Sequence, residues 1–83
     1  MKYKELSMTL SVKKTYAKPY IQKIKSIIWN RLESTCEVED NSFDVDEYAN
    51  ATIYFIATEE QADLLKIIIG MNFKSDLAIH YNF

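Results

Sequence analysis

The spacing of apolar residues changes period along this chain, and that change constrains the fold more than any other feature. Residues 5–12 alternate strictly, with Leu6, Met8, Leu10 and Val12 on one side and Glu5, Ser7, Thr9 and Ser11 on the other. A period of two over eight residues specifies a strand with one buried face. Residues 16–33 then switch to helical spacing: Ile21, Ile24, Ile28 and Leu32 form one stripe, widened by Tyr20 and Ile27. Thr15 is the expected cap of this helix, and Pro19 fits its first turn, where a missing N–H costs nothing.

Residues 36–57 return to strand character. Ala51–Ala57 is rich in β-branched and aromatic residues and reads as a central strand, with Ile53 and Phe55 inward and Thr52, Tyr54 and Ile56 outward. Upstream, Cys36 and Val38 share one parity while Phe43 and Val45 share the other, so one regular strand cannot bury both pairs on one face. A bulge at Asp40-Asn41-Ser42 reconciles them, with the hairpin turn at 47–50; a tight turn at 40–42 is the alternative. Thr58-Glu59-Glu60-Gln61 is a capping-box pattern, and it opens a helix expected to reach about Ile69, with Gly70 as a left-handed C-terminal residue. The last segment, 76–83, alternates again through Leu77, Ile79, Tyr81 and Phe83.

The predicted order is βαββαβ. Two right-handed crossovers joined by a hairpin give an α+β, ferredoxin-like sandwich: a four-stranded antiparallel sheet with two helices on one face. Eighty-three residues suffice for one such domain, taken as 1–83, and not for two cores.

Charge is sorted along the chain. Residues 1–31 hold eight Lys/Arg and a single acid, Glu5; residues 32–65 hold ten acids and, after Arg31, no basic residue. The net charge of −2 conceals this polarity. A one-signed surface selects partners of the opposite sign and turns away others. The densest stretch is the hairpin 37–47, with Glu37, Glu39, Asp40, Asp44, Asp46 and Glu47 interleaved with Val38, Phe43 and Val45. Acids on an edge strand protect it from pairing with other sheets. They also suit docking on a basic protein surface, where spaced carboxylates imitate a phosphate backbone. In that reading Glu37, Glu39, Asp40, Asp44, Asp46 and Glu47 pair with the partner and Phe43 anchors.

A second surplus lies on the helices. Ala62, Leu65, Ile68 and Ile69 make the expected core stripe of the second helix, yet Leu64, Ile67 and Met71 form another nearly opposite. Trp29 stands about 120° from the centre of the first helix's stripe. Trp29, Leu64, Ile67 and Met71 are therefore the expected interface of a homodimer.

Catalytic, nucleotide and metal signatures are missing. The single glycine, Gly70, leaves nothing to build a glycine-rich phosphate loop. One cysteine and one histidine fall short of a zinc ligand set, and Asp44-Val45-Asp46 lacks the glycine and spacing of a calcium loop. A Cys36/His80 nucleophile pair is formally available, but Cys36 reads as a small apolar filler and His80 as a solvated imidazole. No enzymatic role and no cofactor are expected. Residues Ala51–Thr58 and the following Glu-Glu-Gln helix start resemble the third strand and second helix of RNA-recognition domains. The resemblance stops there: no basic residue or glycine precedes paired stacking aromatics, the first strand offers Ser7, Thr9 and Ser11, and the acidic hairpin repels phosphates. Direct nucleic-acid binding is not expected.

One cysteine, no signal-peptide core and no membrane-length apolar run point to the cytoplasm. Nine Lys against one Arg suggest an AT-rich genome such as that of a phage or a low-GC bacterium. The functional expectation is a small non-catalytic protein–protein interaction module, in its most concrete form a phage-type inhibitor that sets the acidic hairpin on a basic, nucleic-acid-binding surface of its target. The alternative is a dimeric regulatory domain that binds a small molecule.

Overall fold

The computed structural model describes residues 2–40, 47–73 and 77–83. Its elements run β1 (Lys4–Lys13), α1 (Lys14–Leu32), β2 (Glu37–Asp40), β3 (Tyr48–Ala57), α2 (Glu59–Asn72) and β4 (Ala78–Tyr81). The strands form one antiparallel sheet in the order β2-β3-β1-β4. This is the expected ferredoxin-like arrangement. β1 and β3 pair along their whole lengths, from Lys4 opposite Ala57 to Lys13 opposite Tyr48, and make the centre of the sheet.

Alternation along the two central strands builds the core. Met8, Leu10 and Val12 of β1 and Ile53, Phe55 and Ala57 of β3 point to one side and are almost wholly buried. Ile24 and Ile28 of α1, Leu65 and Ile69 of α2, and Leu77 close over them. Among the described residues no helix covers the opposite face of the sheet, where Glu5, Tyr54 and Ile56 are exposed, Ser7, Thr9 and Ser11 are half-buried and Thr52 is buried.

The helix ends differ from expectation. α1 follows β1 without a loop: Lys13 is the cap residue, it makes no side-chain cap, and Thr15 already lies inside the first turn. The start is set by the sheet, because the Lys14 N–H donates to the Glu47 carbonyl at 3.0 Å beside the last β1–β3 pair. Pro19 consequently falls beyond the first turn. The carbonyl of Thr15 loses its helical donor, but both residues are exposed and water can serve it. α1 ends on Glu33, which adopts the left-handed conformation (φ 52°) and donates its N–H to the Trp29 carbonyl at 2.9 Å.

α2 opens with the expected capping box. The Gln61 N–H donates to Thr58 Oγ1 (3.2 Å), and the Thr58 N–H donates to Gln61 Oε1 (2.9 Å). Gly70 is an ordinary helical residue and not the terminator; the helix continues to Asn72 and stops on extended Phe73. Side chains do the terminal work instead. Asn72 Nδ2 donates to the Ile68 carbonyl at 2.7 Å, and Lys23 Nζ donates to the Asn72 carbonyl at 3.1 Å. With late carbonyls satisfied this way, a left-handed glycine is not required.

The turn expected at 47–50 does not occupy residues 48–50. Tyr48, Ala49 and Asn50 are strand residues, paired with Lys13, Val12 and Ser11, because β1 is long enough to demand partners there. Asp40 is the last residue of β2, opposite Ala51, and the choice between bulge and turn rests on Asn41 and Ser42, outside the described residues. No helix among the described residues is long and apolar enough to cross a membrane.

Candidate docking face

Two carboxylates of the predicted acidic hairpin reach one surface, and the register shows which. Ile53 is a core residue, so its partner Val38 lies on the helix side of the sheet, and Glu37 and Glu39, its neighbours, lie on the open side. Asp40 follows Val38's parity. It lines a hollow on the helix side together with Lys14 and Lys18, away from Glu37 and Glu39. Glu47 is exposed ahead of β3, where its backbone carbonyl holds Lys14. Phe43, Asp44 and Asp46 lie outside the described residues. Among the described residues of 37–47, strand parity therefore separates Glu37 and Glu39 from Asp40, which sits among the lysines of α1.

What the open face adds is a set of neighbours. Tyr54 stands between Ser7 and Glu37, and Ile56 beside Glu5. Tyr54 and Ile56 are 42% and 50% exposed, large for side chains in the centre of a sheet. Tyr54 Oη donates to Glu39 Oε2 at 2.9 Å, a diagonal link from β3 to β2 across the open face. The Tyr54 hydroxyl is held above the ordinary tyrosine range, first by this hydrogen bond, then by partial desolvation and the Glu39 charge. Glu5, Thr35, Glu37, Tyr54, Phe55 and Ile56 line a shallow hollow of about 290 Å³. Along the same face, Thr9 and Thr52 approach each other through their hydroxyls at 3.4 Å.

The result is an amphipathic sheet face: Tyr54 and Ile56 in the middle, with Glu5, Glu37 and Glu39 around them. Among the described residues, no three His, Cys, Asp or Glu side chains come close enough to hold a metal ion, so these acids are spaced charges and not a ligand set. Glu5 was not among the expected partner-binding residues. Its parity with Tyr54 and Ile56 becomes visible only once β1 and β3 are aligned.

The apolar residues expected at a dimer interface are all exposed: Trp29 54%, Leu64 51%, Ile67 61% and Met71 80%. They do not share one face. Lys23, which reaches the end of α2, and Tyr20, which packs edge-on against Phe73, mark the side of α1 turned to α2. Trp29 lies on the other side of α1, in a hollow it shares with Lys25, Ser34 and Cys36 near the start of β2. Cys36 is half-buried there, and burial pushes its thiol up, against a smaller downward pull from Lys25. His80 is on β4, the opposite outer strand, three strand spacings or about 14 Å away across the sheet and three residues further along it. Cys36 and His80 cannot form a hydrogen-bonded pair in this sheet.

No family model and no curated protein matches the sequence. Solved structures do match the fold. A de novo designed protein, Foldit4, superposes with a TM-score of 0.69 at 11% identity, covering 99% of this chain and 98% of its own. A PII-like signaling protein from Thermus thermophilus gives 0.52 at 16% identity (98% and 85% covered). CPII from Thiomonas intermedia, solved with ADP, AMP and acetate, gives 0.52 at 14% identity (98% and 89% covered). At these identities the likeness is one of fold.

Proposed function

We propose that this protein is a non-catalytic binding module that receives a basic segment of a partner protein on its open sheet face. The observation that supports this reading is the grouping of Glu5, Glu37 and Glu39 around exposed Tyr54 and Ile56 on one uncovered surface. Exposed aromatic and aliphatic side chains supply contact area, and the surrounding carboxylates supply orientation and encounter rate. One concrete form is an inhibitor whose carboxylates stand in for phosphates in the groove of a nucleic-acid-handling protein. Lysines of α1 lie on the helix side of the sheet, and Lys13, which shares the parity of Glu5, stands at the other end of the open face, six residues along β1 from the Ser7–Tyr54 pair.

The second reading is a small regulatory domain that binds a metabolite. It draws on the PII-like folds, among them CPII with its bound ADP, AMP and acetate. Against it, a phosphate-bearing ligand would meet carboxylates on the open face, and the one glycine is locked inside α2.

Titration with a Lys/Arg-rich peptide, followed by amide chemical shifts, tests the first reading. Shifts should centre on Glu37, Glu39, Tyr54 and Ile56, and affinity should fall with added salt. The Glu37→Lys/Glu39→Lys variant should fold normally and bind about tenfold more weakly or worse. Binding that ignores both salt and charge reversal, together with thermal stabilisation by ADP or AMP, would transfer the assignment to the regulatory reading.

A further inference from the structure

The two outer strands of the sheet are built differently. β2 carries Glu37, Glu39 and Asp40 within its four residues, the kind of charge that keeps an edge from pairing with a foreign strand. β4 is Ala78-Ile79-His80-Tyr81, with no proline, no Asp, Glu, Lys or Arg, and no strand on its outer side among the described residues. The register shows which of its peptide groups point outward. The Asn82 N–H donates to the Ser7 carbonyl, so the peptide groups of Asn82, His80 and Ala78 turn toward β1. Those of Ile79 and Tyr81 turn away from it.

A second observation lies above the same edge. Lys66 Nζ donates to the Phe83 carbonyl at 2.6 Å and sits over the rings of Phe83 and Tyr81, so this flank of α2 overhangs β4. Going round the helix from Lys66, away from the core, Gly70 follows by about 40° and Ile67 by about 100°. Ile67 is exposed, and a Cβ placed on Gly70 would meet nothing. Beneath them Ile79, Tyr81 and Phe83 are only half-buried.

We infer that β4 is the seam of a two-fold homodimer, in which β4 pairs antiparallel with β4 of a second copy about His80 and the Ile67–Gly70 flanks of the two α2 helices pack across it. A second copy is the occupant because the edge complements itself. With His80 opposite His80, Ile79 falls opposite Tyr81 and Tyr81 opposite Ile79, and each exchanges the N–H and C=O that point away from β1. Their half-buried side chains then meet on the helix side. Strands lie about 4.8 Å apart and two helices share four strands, so helices either side of the seam lie two spacings, about 10 Å, apart, a normal packing distance, and Gly70 keeps bulk out of the contact. Asp63 and Glu59 lie on the same flank nearer the start of α2, about one and two turns before Ile67. In this assembly Ile67 takes the interface role expected from sequence, and Trp29, on the far side of α1, lies outside the seam.

Sedimentation velocity across a concentration series, paired with amide hydrogen exchange, tests this assembly. The expected result is a dimer in which exchange at Ile79 and Tyr81 slows as protein concentration rises. His80→Lys, at an exposed position, sets two like charges face to face and should weaken the dimer about fivefold, while His80→Gln leaves it intact. Ile67→Lys should weaken it about tenfold. Glu37→Lys/Glu39→Lys should leave it unchanged, which separates this inference from the basic-partner reading. A monomer at every concentration overturns the inference. So does a dimer whose Ile79 and Tyr81 amides exchange as in the monomer and whose mass is indifferent to His80→Lys, since its seam would then lie elsewhere, on Leu64 and Met71 or at Trp29.

Discussion

Replacing Lys66 by Met should loosen the outer strand without touching the central sheet. Lys66 of α2 grips the end of β4 and the residues after it: its ammonium donates to the Phe83 carbonyl at 2.6 Å and lies 4.8 Å and 5.7 Å from the ring centres of Phe83 and Tyr81. Those rings are in turn edge-on to each other, and Phe83 is edge-on to Phe55 of β3, which belongs to the core. Met keeps the unbranched stem and its apolar contacts, so the substitution isolates the charge. A charge-assisted hydrogen bond at a partly exposed site contributes about 1 kcal/mol once solvent screening is allowed for. Each cation–ring contact adds about 0.5 kcal/mol in the same setting. The sum is about 2 kcal/mol, equivalent to a drop in Tm of about 8–16 °C for a domain of this size. Urea denaturation at low protein concentration, where self-association contributes little, measures it directly. A double-mutant cycle with Phe83→Leu separates the ring contacts from the hydrogen bond. A Lys66→Met protein within about 0.3 kcal/mol of the parent, the scatter of such cycles, would refute the clamp and detach α2 from the stability of β4.

Two further outcomes are expected. Glu33→Gly should stabilise the protein by about 0.5–1 kcal/mol, because Glu33 is exposed and held at φ 52°, where a side chain is penalised and glycine is not; a loss of stability by denaturant titration would contradict the left-handed end of α1. Tyr54 should ionise above the ordinary tyrosine range, and Glu39→Ala should bring its phenolate absorbance titration back down. The sign follows from which form is favoured: the folded state prefers the neutral phenol, so any contribution to stability is complete below the unfolded pKa of about 10 and disappears as pH rises through the higher folded value. A titration that does not respond to Glu39→Ala would mean that the Tyr54–Glu39 bond does not hold the open face together.

Much of this architecture is legible in the residues because it rests on local periodicity. Leu6 to Val12, Ile53 with Phe55, and the Ile24–Ile28 stripe each declare a face within a few positions, and burial simply follows that face. The capping box at Thr58 and Gln61 is equally local, since both partners lie within one helical turn. Element ends are not local in this way. Thr15 and Gly70 carry the right chemistry for a cap and a terminator, but sheet pairing at Lys13 and Tyr48 started α1 earlier, and Lys23 from another helix let α2 run past Gly70.

The docking face shows the same division. Composition alone marks residues 37–47 as acidic and Tyr54 as outward-facing, because charge and strand alternation are properties of the chain itself. Which acids stand together is a question of register, and register is settled between strands. Pairing of Val38 with Ile53 sends Glu37 and Glu39 to the open face and Asp40 to the lysines; pairing of Glu5 with Ile56 brings in a carboxylate from more than thirty residues away. A slip of one residue in either ladder would exchange the two faces, with hydrophobic burial as the force that forbids it. The polypeptide thus determined its own strands, helices and charges, and only their packing around one core decided which of those charges share a surface.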